Sequence, residues 1–515
     1  MNDELRLISD TVCVTEKALD RTEELPLERD IVLPDYYPDV FRILRCTAEP
    51  QLTSQSVSDG RLAFDITVTV RVLYLTEGSG RINCIEQNAE ISRTLDIEGE
   101  CNSPEVMIDL NCLRLSCRAK GSRRIDVRGT LCASVKVCCQ REKTVVTGGS
   151  GCGIQLRKQT VTYPVKRLYA SKRITVIQQT SLPDDKPSVG TVLRTGCSVT
   201  RTEQRIVAGK LAVKGEAELE ALCTCIDKAG ADRVQDLRFT LPFSRMIDME
   251  GLDDSYRVSV RVKPSGCSIT ACGGEDNTVE WELELDVFCT AEKSGAGVGV
   301  TDAYSTEYEC LPDEIVEISS DSGDEKHISC ISECTLAAPD GTVGAVYDHY
   351  ASCTRPTIRK DGNTFRISGG VTCSVMGEGS EGGIFCIEGQ STYEAEAAVP
   401  EESSESTLEA YAETAGCSYY LGDGGTIRVR TDVRVVYKLN GGSGTKLVSS
   451  VILNKDKPAT RDSSCTLRLC RCGENEDIWD IAKRCRTTVE AVREDNGLPD
   501  GADSIDDGRM IVIRG

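Results

Sequence analysis

The feature that most constrains this chain is an internal repeat of about 150 residues. Leu33-Pro34-Asp35-Tyr36-Tyr37-Pro38-Asp39-Val40-Phe41-Arg42-Ile43-Leu44 is echoed by Leu182-Pro183-Asp184-Asp185-Lys186-Pro187-Ser188-Val189-Gly190-Thr191-Val192-Leu193, and Pro34 to Pro183 spans 149 positions. A third echo, Pro339-Asp340-Gly341-Thr342-Val343-Gly344-Ala345-Val346, lies 156 positions beyond Pro183. Each copy carries long runs in which apolar and mostly polar residues alternate. Strict alternation puts one face of a strand in a core and the other in water.

One such run recurs as Leu62 to Tyr74, Leu211 to Cys223 and Phe365 to Val375. A second closes each copy: Ile125 to Cys139, Val279 to Cys289 and Ile427 to Tyr437. Val127 to Val279 is 152 positions and Val279 to Ile427 is 148, so independent markers agree on one period. The pattern predicts a mainly β fold: three tandem β-rich repeats with long antiparallel strands over residues 1–147, 155–294 and 302–460. Gly148-Gly149-Ser150-Gly151, Gly295-Ala296-Gly297-Val298-Gly299 and Gly441-Gly442-Ser443-Gly444 read as turns or linkers between and within the copies. Glu401-Glu402-Ser403-Ser404-Glu405-Ser406 reads as an exposed loop, and Glu280, Glu282, Glu284 and Asp286 as the wet face of a strand.

Over 465–515 the period changes from 2 to 3.6. Asn475 can cap a helix with Glu476 and Asp477 in its first turn and Lys483 and Arg484 in its last, the charge order that suits the helix dipole. Ile478, Ile481, Ala482 and Cys485 form its apolar stripe. Thr487-Thr488-Val489-Glu490 opens a second helix as a capping box, and Asn496-Gly497 ends it. Met510 to Ile513 can pair with Leu467 to Cys472, which gives a small α+β module in the order strand, helix, helix, strand.

Composition excludes several functions. Lys and Arg total 60 against 82 Asp and Glu, a net charge of −22 that disfavours phosphate backbones and anionic lipid. The reading is therefore no nucleic acid and, with no apolar run near the ~20 residues of a membrane span, no integral membrane insertion. Met1-Asn2-Asp3-Glu4 is acidic and lacks the basic and apolar regions of an export signal, so a cytoplasmic protein is expected. The 27 cysteines include no Cys-x-x-Cys pair. With only His327 and His349 as histidines, a zinc site of standard spacing is not expected. Most cysteines read as small core residues, with later crosslinking left open. No phosphate-binding loop and no nucleophile elbow occurs, so no catalytic residue, metal or cofactor is assigned and the chain is read as non-enzymatic.

Asn475-Glu476-Asp477-Ile478-Trp479-Asp480-Ile481-Ala482-Lys483-Arg484, with Asn496-Gly497-Leu498 and the strand Gly508 to Ile513, resembles the LysM family. That resemblance implies a shallow groove for GlcNAc-containing glycans lined by Glu476, Asp477, Ile478, Asn496, Gly497, Leu498 and Ile505. Asn475 and Asp477 stand where the family has Gly and Thr, and Asp503, Asp506 and Asp507 crowd the rim, which favours a protein ligand. Trp479 reads as a core or helix-packing residue rather than a sugar platform.

Ile31-Val32-Leu33-Pro34-Asp35-Tyr36-Tyr37-Pro38-Asp39, Phe41-Arg42-Ile43-Leu44 and Leu241-Pro242-Phe243-Ser244 resemble the SPOCS domain of clostridial sporulation proteins. SPOCS repeats with a terminal LysM module resemble the SipL family of spore coat morphogenetic proteins. The resemblance implies a coat-assembly scaffold in the mother-cell cytosol, at the forespore surface. Its partner would be the basement-layer ATPase, a stage IV sporulation protein A-like protein. A peptidoglycan-binding protein of the wall or cortex is the alternative.

Overall fold

The computed structural model describes residues 4–77, 81–99, 101–183, 186–226, 232–272, 277–318, 325–398, 407–440, 444–459, 466–473, 476–499, 505 and 509–514. The Glu401–Ser406 loop, the Gly441-Gly442-Ser443 turn and Asn475 lie outside them.

The first copy consists of β1 (Arg6–Val32), β2 (Arg42–Ser58), β3 (Arg61–Leu75), β4 (Ile82–Asp96), β5 (Asn102–Gly121) and β6 (Arg124–Ser150). They form two antiparallel sheets, β1-β6-β5 and β2-β3-β4. The second copy repeats this with β7 (Ile154–Ser181), β8 (Val189–Val207), β9 (Lys210–Ile226), β10 (Asp232–Asp248), β11 (Arg257–Cys272) and β12 (Thr278–Ser305), in sheets β7-β12-β11 and β8-β9-β10. The alternation read from the sequence faces inward as expected. Leu62, Phe64, Ile66, Val68, Val70, Val72 and Tyr74 of β3 meet Ile125, Val127, Leu131, Ala133, Val135 and Val137 of β6 in one core. Trp281, 1% exposed, lies in the corresponding core of the second copy.

In the third copy the long outer strands are each split in two. It comprises β13 (Tyr308–Ile318), β14 (Lys326–Ala337), β15 (Ala345–Cys353), β16 (Thr357–Asp361), β17 (Thr364–Glu378), β18 (Ile384–Ala398), β19 (Thr407–Leu421), β20 (Thr426–Asn440) and β21 (Thr445–Pro458). Sheet β14-β20-β19 faces β15 and β16 paired to β17, with β18 on its other side. The pair β13-β21 forms a separate ribbon.

The strands β1 and β6 have 27 residues and β7 and β12 have 28, or about 90 Å each at the usual rise. That is longer than one sandwich needs. Their far ends leave the sandwiches as two-stranded ribbons, Arg6 to Val14 against Ser150 to Arg141 and Ile154 to Val161 against Ser305 to Gly297. With β13-β21 they make three ribbons packed together. Val146, Val300 and Val448, one from each copy, meet in one cluster. Val12, Val14, Val145, Val161, Val316, Ile318 and Leu447 form another.

Two glycine segments read as linkers are therefore strand. Gly148 and Gly149 lie in β6, and Gly295 to Gly299 lie in β12. Gly295, Gly297 and Gly299 recur at every second position, which leaves one face of the strand without side chains. A Cβ on Gly299 would stand 2.6 Å from Leu447 Cδ1, so its absence is what lets the third ribbon approach.

The copies also meet through charge. Asp348 of β15 accepts from Arg194 of β8 at 2.8 and 2.9 Å and from Arg45 of β2 at 3.3 Å. Arg45 also lies 4.0 Å over the Tyr350 ring. Arg167 of β7 makes a two-pronged pair with Glu105 of β5. The acidic face of β12 is not simply wet: Glu284 accepts from Gln51 of the first copy, and Asp286 pairs with Arg173.

The C-terminal module as the candidate functional site

β22 (Leu467–Arg471) pairs antiparallel with β23 (Met510–Arg514), and two short helices, α1 (Ile478–Cys485) and α2 (Val489–Asn496), lie between them in sequence. The order strand, helix, helix, strand is the one read from the sequence. The caps differ by a residue or two. Asp477 caps α1, its side chain accepting from Asp480 N at 2.8 Å, because the helix begins at Ile478. Thr488, not Thr487, caps α2, accepting from Ala491 N, so Glu490 is not the box partner. Gly497 ends α2 at φ 58, in the left-handed region that glycine enters freely.

Each residue assigned to the groove has a partner within the chain. Glu476 takes Arg484 at 2.8 and 2.9 Å and Gly473 N at 2.8 Å. Asp477 also takes Arg157 of β7 at 2.7 Å. Ile478 is 1% exposed and shares a core with Ile481, Val492, Ile505 and Ile511, with Leu498 packed against it. Asn496 pins α2 to β23, donating to Val512 O and accepting from Val512 N. The structure thus joins Ile478, Leu498 and Ile505 in one core, while Glu476, Asp477 and Asn496 tie elements together. Asp503, Asp506 and Asp507 lie outside the described residues.

The residues that the sequence did not single out are those that hold the module on the repeats. Asp302, in the β12 extension, accepts from Trp479 Nε1 at 2.8 Å and from Lys483 Nζ at 2.7 and 2.8 Å. Tyr304 enters the module's own core, stacks edge-on against Trp479 with centroids 4.9 Å apart, and donates to Thr487 O at 2.7 Å. Burial, with Glu490 and Asp302 near, pushes its phenol well above the ordinary range, so the hydroxyl stays a donor. Trp479 packs against the module's core, as read from the sequence, and also joins the module to the repeat through Asp302 and Tyr304. The signal that could have found Asp302 and Tyr304 is the glycine alternation, which continues β12 to them.

The module's outer sheet face is open. Leu467, Leu469 and Met510 are 58%, 64% and 52% exposed, and Arg471 lies opposite Met510. Among the described residues no three His, Cys, Asp or Glu gather where a metal could sit, and no helix is long and apolar enough to cross a membrane. His349 rests on Tyr419 with its Nε2 3.2 Å from Cys417 O, and His327 is exposed.

Fold and site together define a chain of tandem two-sheet β repeats that clamp a small terminal module. Two segments, 39–120 and 188–270, match the family model described as SipL, SPOCS domain, and support a SipL-like family for this chain. They cover β2 to β5 and most of β8 to β11, the strands between the long outer ones. No curated protein and no solved structure matches.

Proposed function

We propose that this chain is a non-enzymatic assembly scaffold of the spore envelope, and that its LysM-like module docks a protein partner on the forespore surface. The observation that carries the reading is the joint presence of two SipL-type SPOCS segments and a terminal strand-helix-helix-strand module in one chain. The partner is the basement-layer ATPase, a stage IV sporulation protein A-like protein, met in the mother-cell cytosol. Three copies fused through shared ribbons supply a stiff body. The module presents an open apolar face, Leu467, Leu469 and Met510, of the kind that marks interaction sites. The groove residues are engaged within the chain, so docking is assigned to this face.

The test is binding of the full chain to the purified ATPase, with peptidoglycan sedimentation in parallel. Leu469→Asp, on an exposed position, should weaken ATPase binding at least tenfold, the equivalent of about 1.4 kcal/mol. A change at Ile478 would be uninformative, since a charge there would unfold the module's core. Unaltered binding by Leu469→Asp refutes the assigned face. Sedimentation with peptidoglycan in the absence of ATPase binding refutes the function.

A further inference from the structure

We infer that Cys46 with Cys117, Cys197 with Cys267, and Cys470 with Cys485 are oxidation sites, each pair closing a disulfide when a low-molecular-weight disulfide serves as oxidant. Three placements carry this. Cys46 lies on β2 and Cys117 on β5, the edge strands of different sheets in the first copy, and these strands pack against each other. Both side chains pack against the edge of the same core. Cys197 on β8 and Cys267 on β11 occupy the corresponding edge strands of the second copy, and both pack against its core. In the module, Cys470 Sγ of β22 and Cys485 Sγ of α1 are 3.4 Å apart.

Cys46 to Cys197 is 151 positions and Cys117 to Cys267 is 150, so the arrangement recurs with the repeat. The third copy departs from it. Cys353 of β15 and Cys417 of β19 lie on the corresponding strands, but Cys353 Sγ rests 3.5 Å from Thr414 Oγ1. All six cysteines are half-buried residues rather than ones sealed in a core. The chain already holds a disulfide between Cys101 and Cys139.

In the first pair, the neighbouring Cys46 thiol holds the Cys117 thiol below its ordinary value, which makes Cys117 the attacking group. Its thiolate attacks one sulfur of the external disulfide, and the other sulfur leaves as a thiolate with the electron pair of the broken bond. Cys46 then loses its proton to solvent and attacks the Cys117 sulfur of the mixed disulfide, expelling the second external thiolate. Two protein thiols are oxidised and one external disulfide is reduced to two thiols. The product ties the two sheets of a sandwich at one edge. In the module it ties strand to helix, where a small core gains most from a staple.

The experiment uses the full chain, reduced and then exposed to glutathione disulfide, with alkylation of remaining thiols and peptide mapping by mass spectrometry. The expected map shows Cys46–Cys117, Cys197–Cys267 and Cys470–Cys485, with Cys353 and Cys417 recovered alkylated and a thermal midpoint above that of the reduced chain. Recovery of the six thiols alkylated, or bridges scattered among all cysteines, overturns the inference. A chain carrying Cys46→Ser and Cys197→Ser, checked for unchanged circular dichroism, should keep only the module bridge of the three. Undiminished recovery of Cys117 and Cys267 in bridges also overturns it.

Discussion

Asp302→Ala should loosen the module from the repeats. The Asp302 carboxylate holds the indole N–H of Trp479 and the ammonium of Lys483, and its side chain is 24% exposed. Hydrogen bonds to a charged group contribute about 1.5–3 kcal/mol. Partial exposure screens the lysine pair, so about 2 kcal/mol of docking free energy is lost. That shifts the docked-to-free ratio by roughly thirtyfold. Tyr304 and the Arg157–Asp477 pair still hold the module, so Tyr304→Ala, which empties a site in the module's core, should add about 3–5 kcal/mol. The assay is tryptophan fluorescence. The chain has two tryptophans, and Trp281 is sealed at 1% exposed, so acrylamide reports Trp479. Asp302→Ala should raise quenching and red-shift emission, and Asp302→Asn should do so less, because the amide oxygen still accepts from the indole. Unchanged quenching in both Asp302→Ala and Tyr304→Ala would refute the docking geometry.

Asp348→Ala leaves Arg45 buried without its carboxylate and should cost about 3–5 kcal/mol, read as a lower urea midpoint; replacing Arg45 by Met in the same chain should recover much of it. Burial pushes the Asp109 carboxyl up, but Lys263 at 2.8 Å and Arg261 outweigh it and hold it below its ordinary 3.8. The contribution of Asp109 to the contact between the first two copies is therefore fully present above that value and lost as pH falls through the lower folded value, which hydrogen exchange at β5 and β11 should follow. Gly299→Val drives a side chain into Leu447, which is 0% exposed, and should cost about 1–3 kcal/mol, seen as a lower thermal midpoint.

The sandwiches were legible because each strand buries one face, and residues such as Leu62 to Tyr74 write that face directly into the order of residues. The module was legible for the same reason at period 3.6, through Ile478, Ile481 and Val492. The ribbons were not. Gly295, Gly297 and Gly299 look like linker residues, and only the placement of Leu447 shows that they are the bare face of a strand. The contact around Asp302 was hidden because it joins residues 177 apart, and nothing local to either end marks the pairing. The candidate groove was read residue by residue from a resemblance. What the residues do in this chain depends on Arg157, Arg484 and Val512, which the resemblance did not name.

The most direct test of the central claim is an equilibrium binding measurement of the full chain, under reducing conditions, against the basement-layer ATPase and against purified peptidoglycan. The expected result is saturable binding to the ATPase that Leu469→Asp weakens at least tenfold, and no sedimentation with peptidoglycan. Sedimentation with peptidoglycan and no ATPase binding would contradict it.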